Sequence, residues 1–321
     1  MKGFGEFEFI DSVSKMFAKM PSNGFEGIGD DCAILPIGDD ALLFTSDMLN
    51  EGVHFLTDWS SPFQVGYKSL MVNISDVAAM GATPVATLLS LALPKDKFGE
   101  WSSEFMRGYK SASEKYGVKL VGGDTTASES GISISVTAIG RAPLGNIKRR
   151  SAAQVGDVVM VSGELGASAA GLRDLYAGSL NTLNVSKHRM PEAQVLEGEW
   201  LGQQDAIHAM CDVSDGVASD LQHILDQSKA SAIISEPNVP IAEGATLNDA
   251  LCGGEDYQLL FTVECDKAEE LSRAFESEFG KPLYIIGKIV EPDCDSYDLG
   301  FESENGDVCY LSDNWGGYTH F

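Results

Sequence analysis

The chain has 321 residues, more than one core usually holds, and its 44% hydrophobic and 22% charged residues are ordinary for a globular protein that folds unaided, so two domains are expected. Its 48 acidic residues against 22 basic ones give a net charge of −26, a field that repels nucleic acid and anionic membrane alike and argues against both as partners. The same field repels a polyphosphate such as ATP, so a substrate of that kind needs metal ions and a few placed cations to reverse the local sign.

The start MKGFGEFEFI has no basic residues followed by an apolar core. The longest apolar stretch, residues 82–93, is broken by Thr, Pro and Ser and is too short for a bilayer, so a cytoplasmic protein is expected. Cysteines at 32, 211, 252, 265, 294 and 309 form no CxxC pair, and no HExxH occurs. That argues against zinc and a disulfide framework and for reduced, mostly packing thiols.

In chain order, apolar residues Phe9, Ile10, Val13, Met16 and Phe17 recur at helical spacing, which predicts a helix over 9–19 with one face on the core. Strands are expected over 33–35 and 41–45, with Asp47 just past the second. Ser60, Ser61 and Pro62 supply a capping hydroxyl and a first-turn proline for a helix running to about residue 80. A strand over 88–93, a helix over 98–116 and a strand over 118–121 lead into Gly122-Gly123-Asp124-Thr125-Thr126. Residues 132–139 alternate as a half-exposed strand does.

Residues 142–156 shift to Pro, Gly and the basic run Lys148-Arg149-Arg150, which marks a junction between domains 1–147 and 148–321. This run is a surface linker or the source of an arginine whose planar fork reaches a phosphate. Beyond it, a strand over 157–163 enters the glycine-punctuated turn at 163–166 and a helix over 168–176. Helices over 191–201 and 217–227 and strands over 258–263 and 283–290 follow.

The chemistry is carried by repeated carboxylates after apolar runs. Asp30, Asp31 and Asp47 sit beside Gly, Ser or another Asp; Ser75-Asp76 follows LMVNI; Gly123-Asp124 follows KLVG; Asp212 and Asp215 close AMCDVSDG. A turn or helix cap explains any one of them. Together they predict oxygens crowded around hard cations, a multi-magnesium site that uses a nucleotide. Asn73 and Asp76 share a face of the 62–80 helix among apolar neighbours, where an ionised carboxylate needs a cation, an Arg or a Lys as partner. Gly253 and Gly254 leave Glu255 and Asp256 at a strand mouth, His54 stands alone, and Trp315 lies among polar and Gly residues. Neither Gly280-Lys281 nor Gly287-Lys288 is followed by Ser or Thr, which excludes a P-loop, and protein-kinase signatures are missing.

GIGDDCA at Gly27, TSD at Thr45, NISDVAAMGATP at Asn73, GGDTT at Gly122, DVSDG at Asp212, GGEDY at Gly253 and the closing NWGGYTHF together resemble the thiamine-monophosphate kinases, within the ATP-binding superfamily of aminoimidazole ribonucleotide synthetase. The resemblance runs end to end. It implies an α+β, two-domain PurM-like fold, an N-terminal domain lending strands to the barrel of a homodimer, a C-terminal α/β domain, and ATP held between them. By position, it implies a cage for several Mg²⁺ ions from Asp30, Thr45, Ser46, Asp47, Asp76, Asp124, Asp212 and Asp215. ATP contacts would come from Gly123, Asp124, Arg150 and Ser214, and thiamine monophosphate contacts from His54, Glu255 and Trp315.

The implied reaction is direct in-line transfer of the γ-phosphoryl group of ATP to thiamine monophosphate, giving thiamine diphosphate. It needs no general base, because a phosphate monoester with a second pKa near about 6 is largely a nucleophilic dianion at neutral pH. The acceptor's thiazolium cation suits an acidic chain and an indole face such as Trp315. Two other readings are a sister ATP-dependent enzyme, such as an aminoimidazole ribonucleotide synthetase or a hydrogenase maturation factor, and a catalytically silent nucleotide-binding protein.

Overall fold

The computed structural model describes residues 5–293 and 297–310. The first helix, α1 (Glu6–Phe17), forms where the spacing predicts, but its apolar face is not on the core: Phe9, Met16 and Phe17 are 61%, 72% and 53% exposed.

The first sheet is built from β1 (Ala33–Ile37), β2 (Asp40–Asn50), β3 (Thr83–Leu93), β4 (Lys119–Ala127) and β5 (Ser133–Pro143), in the order β1-β2-β5-β3-β4. All its pairs are antiparallel except β3 with β4, whose crossover is helix α3 (Glu100–Tyr116). Helix α2 (Pro62–Ala79) starts as the sequence predicts, with Ser61 accepting from the Gln64 N–H at 3.3 Å and Gln64 Oε1 accepting from the Ser61 N–H at 2.9 Å. Odd-numbered residues of β2 turn toward α2, so Ala41 and Leu43 are fully buried and Thr45 and Asp47 share their face.

Two expected boundaries move. Asp47 lies inside β2 rather than past it, and Gly122–Thr126 continues β4 rather than forming a loop. Polar and glycine residues read as turn signals, yet Asp47 pairs with Val136 and Gly123 with Leu89, so the ladder satisfies their backbones.

Helices α2 and α3 approach closely at two glycines. A Cβ on Gly66 would lie 2.0 Å from the Phe105 carbonyl oxygen, and one on Gly108 would lie 1.8 Å from that of Phe63.

The second sheet runs β12-β11-β8-β10-β6-β9-β7, with β6 (Val158–Val161), β7 (Ile207–Asp212), β8 (Ser231–Ser235), β9 (Leu259–Val263), β10 (Tyr284–Val290), β11 (Leu299–Glu302) and β12 (Val308–Tyr310). Helices α4 (Ala167–Tyr176), α5 (Leu183–Arg189), α6 (Val195–Gly202), α7 (Val217–Ser228), α8 (Leu247–Cys252) and α9 (Ala268–Phe279) complete the half. Its central strands are apolar on both faces. Val159, Cys211 and Leu260 join the core of α7 residues Leu221 and Ile224, whereas Met160, Met210 and Phe261 join that of α9 residues Leu271 and Phe275. The result is a two-domain α+β chain whose second domain is layered α/β.

The domains meet along α2. A Cβ on Gly198 of α6 would lie 2.2 Å from the Ala78 carbonyl oxygen, so α6 lies directly on the end of α2. Cys32 and Cys211 are buried, Cys265 and Cys309 are exposed, and the cysteines among the described residues are free thiols. None of the described helices is long and apolar enough to cross a membrane.

Candidate metal and phosphate site

The domain contact brings acids distant in sequence together. Asp31 precedes β1, Asp76 lies on α2 and Asp212 ends β7. One carboxylate oxygen from each lies within 4.8 Å of the other two, forming a group among the described residues that could hold a metal ion. Each is oriented by a neighbour: Thr45 Oγ1 donates to Asp76 Oδ2 at 2.5 Å, the Ser75 hydroxyl donates to Asp212, and Arg150 donates to Asp31 Oδ1. Asp47 lies beside them, its backbone N–H donating to Asn73 Oδ1 at 2.9 Å.

The electrostatics show what the cluster lacks. Burial, then the charges of Asp47, Asp212 and Asp31, push the Asp76 carboxyl well above its ordinary range. Burial, then Asp31, push Asp212 up to about 8 and Asp47 up to about 6. Asp31 is raised by burial against the opposing charge of Arg150, and its buried Oδ2 has no hydrogen-bond partner. Like charges packed this closely call for a counter-ion, and the oxygen-only donor set with one orphaned oxygen fits a hard divalent cation.

Asp31 is among the carboxylates whose repetition predicts the site, whereas the resemblance implied Asp30 as the ligand. Two adjacent acids in a turn do not say which points inward, although a basic run that could supply Arg150 is a signal that one of them is buried. Asp30 instead accepts the Arg150 backbone N–H at 3.1 Å, and burial followed by the charge of Asp31 pushes it up to about 6. The Arg150 side chain, expected at a nucleotide phosphate, is ion-paired with Asp31. Ser214 and Asp215 both donate backbone N–H groups to Asp220 Oδ2 at 3.1 Å, so this buried acid, which sequence reading passed over, holds their turn.

Three expected positions do not reach the cluster within one chain. Ser46 faces away from α2, bonding the Val136 carbonyl at 3.1 Å and Thr137 Oγ1 at 3.2 Å. Asp124 is exposed and falls in the row of Met48, Ser135 and Ser90, on the face opposite Asp47, because strand side chains alternate. The room left by Gly123 (φ +149°) is taken by the chain itself: a Cβ there would lie 1.7 Å from the Leu89 carbonyl oxygen.

A second polar group stands farther along α2. Buried Lys68 contacts Glu255 Oε1 at 2.8 Å and Oε2 at 2.9 Å, and His188 Nδ1 lies 3.2 Å from Oε2. Burial alone would raise the Glu255 carboxyl, but Lys68, His188 and His54 outweigh it and hold it below the usual range. His54 Nδ1 accepts the Asn50 N–H at 3.0 Å, and the Lys68 ammonium lies 3.5 Å from the His54 carbonyl oxygen. His54 and Glu255 are thus brought together, with Lys68 and His188 as members the sequence did not single out. Asp256 caps α4, accepting from Gly166 N at 2.5 Å and Ser168 N at 3.1 Å, and lines the cavity beside Glu255 without joining this ion pair. Trp315 lies outside the described residues.

The chain matches two family models, AIR synthase related protein, N-terminal domain, over residues 29–142 and AIR synthase related protein, C-terminal domain, over residues 154–297. Fold and site therefore define an AIR synthase related protein. The thiamine-monophosphate kinase of Buchnera aphidicola subsp. Acyrthosiphon pisum is 36% identical over 88% of this chain and 91% of that protein. That of Salmonella typhimurium is 35% identical over 99% and 98%. The solved structure of AaThiL complexed with AMPPCP and TMP has a TM-score of 0.83 and 32% identity, covering 100% of this chain and 98% of that one. The chain belongs to the thiamine-monophosphate kinase family. Hydrogenase maturation protein HypE in complex with ATP, 18% identical with a TM-score of 0.71 over 94% of each chain, shares the fold.

Proposed function

We propose that this chain transfers the γ-phosphoryl group of ATP to the phosphate of thiamine monophosphate, giving thiamine diphosphate and ADP. The observation that carries this reading is the cluster of Asp31, Asp76 and Asp212 between the domains, with Asp47 beside it, in a chain alike from end to end to the thiamine-monophosphate kinases.

Asp31, Asp47, Asp76 and Asp212 would hold Mg²⁺, with Asp30, Thr45 and Asp215 at its margin. When bound, Mg²⁺ supplies charge neutralisation between the two phosphorylated substrates. The chain's own part is placement: Ser75 and Thr45 fix two carboxylates by hydrogen bonds, and Asn73 fixes the β2 backbone at Asp47. The acceptor dianion needs no base, which suits a site of carboxylates and hydroxyls. A cavity of about 330 Å³ between α3 and β4, lined by Leu89, Leu91, Met106 and Leu120 and by the run Gly122-Gly123-Asp124-Thr125, would join the site through the homodimer together with Asp124. Ser214 and Arg150 would contact the nucleotide, and His54 and Glu255 the acceptor.

Domains 1–147 and 148–321 would then hold the two substrates between them, in the cytoplasm. Ser46 and Asp124, on the outer face of the first sheet, would join the site in a homodimer whose barrel encloses that face. The test is incubation with ATP, Mg²⁺ and thiamine monophosphate, with thiamine and aminoimidazole precursors as parallel acceptors, followed by chromatography. Thiamine diphosphate formed from the monophosphate alone is expected; its absence overturns the assignment.

A further inference from the structure

We infer that Lys68 is a positioning residue for the acceptor, acting through Glu255, and that their ion pair sets the distance between the acceptor subsite and the metal cluster; this rests on the reaction proposed above.

Lys68 is 3% exposed and does not line the cavity of about 120 Å³ beside it, whereas Glu255 does, together with Ser168, Lys187, Glu192 and Asp256. Glu255 is the member of the pair that a ligand can touch. Three constraints fix it. Its backbone is in the left-handed region, with φ at +67°, which a glutamate adopts only when its surroundings impose it. Its N–H donates to the Ser214 carbonyl oxygen at 2.8 Å, tying it to the Asp212–Asp215 turn. Both its carboxylate oxygens lie within hydrogen-bond reach of the Lys68 ammonium, a contact that crosses from the second domain to the first.

His188 cannot take over the work of Lys68. Burial, and then the charge of Lys68, depress its imidazole to about 4, so at neutral pH it is an uncharged neighbour that also contacts Ser168 Oγ at 2.9 Å. Lys68 is the largest influence holding the Glu255 carboxyl low, and it is the cation that contacts both carboxylate oxygens. The same helix carries Asp76 eight residues on, about 12 Å away at 1.5 Å per residue. One rigid rod therefore spaces the carboxylate that faces the acceptor's cationic ring from the carboxylate that faces its phosphate.

The test compares Lys68→Met, Lys68→Arg, Glu255→Gln and the double variant Lys68→Met/Glu255→Gln, each assayed with both substrates varied. The double variant leaves no uncompensated buried charge and guards against misfolding of Lys68→Met. Lys68→Met is expected to raise the KM for thiamine monophosphate about tenfold or more while leaving that for ATP within about twofold, since it removes binding specific to one substrate. Lys68→Arg should recover much of the loss, because guanidinium also forks onto a carboxylate. The double variant should be little worse than Glu255→Gln, since the other path from Lys68 toward the acceptor is its long 3.5 Å contact with the His54 carbonyl oxygen. Equal effects on both KM values, no effect, or losses that multiply in the double variant each overturn the inference. Failure of the wild-type chain to make thiamine diphosphate instead overturns the function itself.

Discussion

Ser75 on α2 donates its hydroxyl hydrogen to the Asp212 carboxylate at the end of β7, and both residues are only 1% exposed. The bond joins the first domain to the second at the point where the acids converge. A hydroxyl donating to a buried carboxylate stabilises the ionised form, which is the form a cation needs.

Ser75→Ala should therefore weaken the fold by about 1.5–3 kcal/mol, the range for a hydrogen bond to a charged group. Urea unfolding of the metal-free protein at a pH above the raised Asp212 value of about 8, where this carboxylate is ionised, measures it. In an Asp212→Asn background the same substitution should cost clearly less, because the acceptor is no longer charged. Equal costs in both backgrounds would mean that Ser75 stabilises only by packing.

The acid cluster predicts how stability follows pH. Asp212 is raised in the fold from 3.8 to about 8, and Asp30 and Asp47 from 3.8 to about 6. Between those values the unfolded chain has released protons that the fold retains. These acids make the metal-free protein lose stability as pH rises from about 4 to about 8, the part above pH 6 coming from Asp212 together with the strongly raised Asp76 and Asp220, while His188 and His223, depressed from 6.5 to about 4, contribute the opposite slope below pH 6.5. Melting temperatures across that range, with and without Mg²⁺, provide the check. Mg²⁺ should raise the melting temperature more at pH 8 than at pH 5, and Asp212→Asn should flatten the metal-free slope above pH 6. A slope unchanged in that variant would rule out Asp212 as its source.

Much of this was legible in the sequence because it is local. The Ser61-Pro62 helix start, the helical spacing of α1 and the alternation of β5 are written within a few residues of one another. The acids Asp76 and Asp212 could be named because charge after an apolar run needs an explanation. Their convergence was expected from that repetition, but not the means of it, α2 lying across both domains. The placing of Asp31 beside Asp76 and Asp212, the outward face of Ser46, and the seat of Lys68 against Glu255, 187 residues apart, could not be read from the sequence. Those are settled by turn geometry, strand register and a long-range contact.

The α2–α3 contact predicts a purely structural sensitivity. Gly108 faces the backbone of Phe63, and an added Cβ would lie 1.8 Å from its carbonyl oxygen, so no side-chain rotation relieves the clash. Gly108→Ala should destabilise by about 1–3 kcal/mol or more, the usual cost of overpacking, through separation of the two helices. Gly145→Ala is the control, because nothing lies within 4 Å of its added Cβ. Similar unfolding midpoints for the two variants would show that the helices part without cost.

Asp47→Asn isolates the charge of one member of the site. Its backbone bond to Asn73 remains, and Asn fits the space of Asp, so the fold should persist with a melting temperature at or above that of the wild type in the absence of metal. The direction follows from the like charges it removes: Asp31 raises Asp47, and Asp47 in turn raises Asp76. Turnover should nevertheless fall by about 10²–10³, the scale for losing one group that stabilises charge at a transferring phosphoryl. Turnover at increasing Mg²⁺, with circular dichroism as the folding control, makes the measurement. Near-normal turnover at saturating Mg²⁺ would remove Asp47 from the groups that hold the ion.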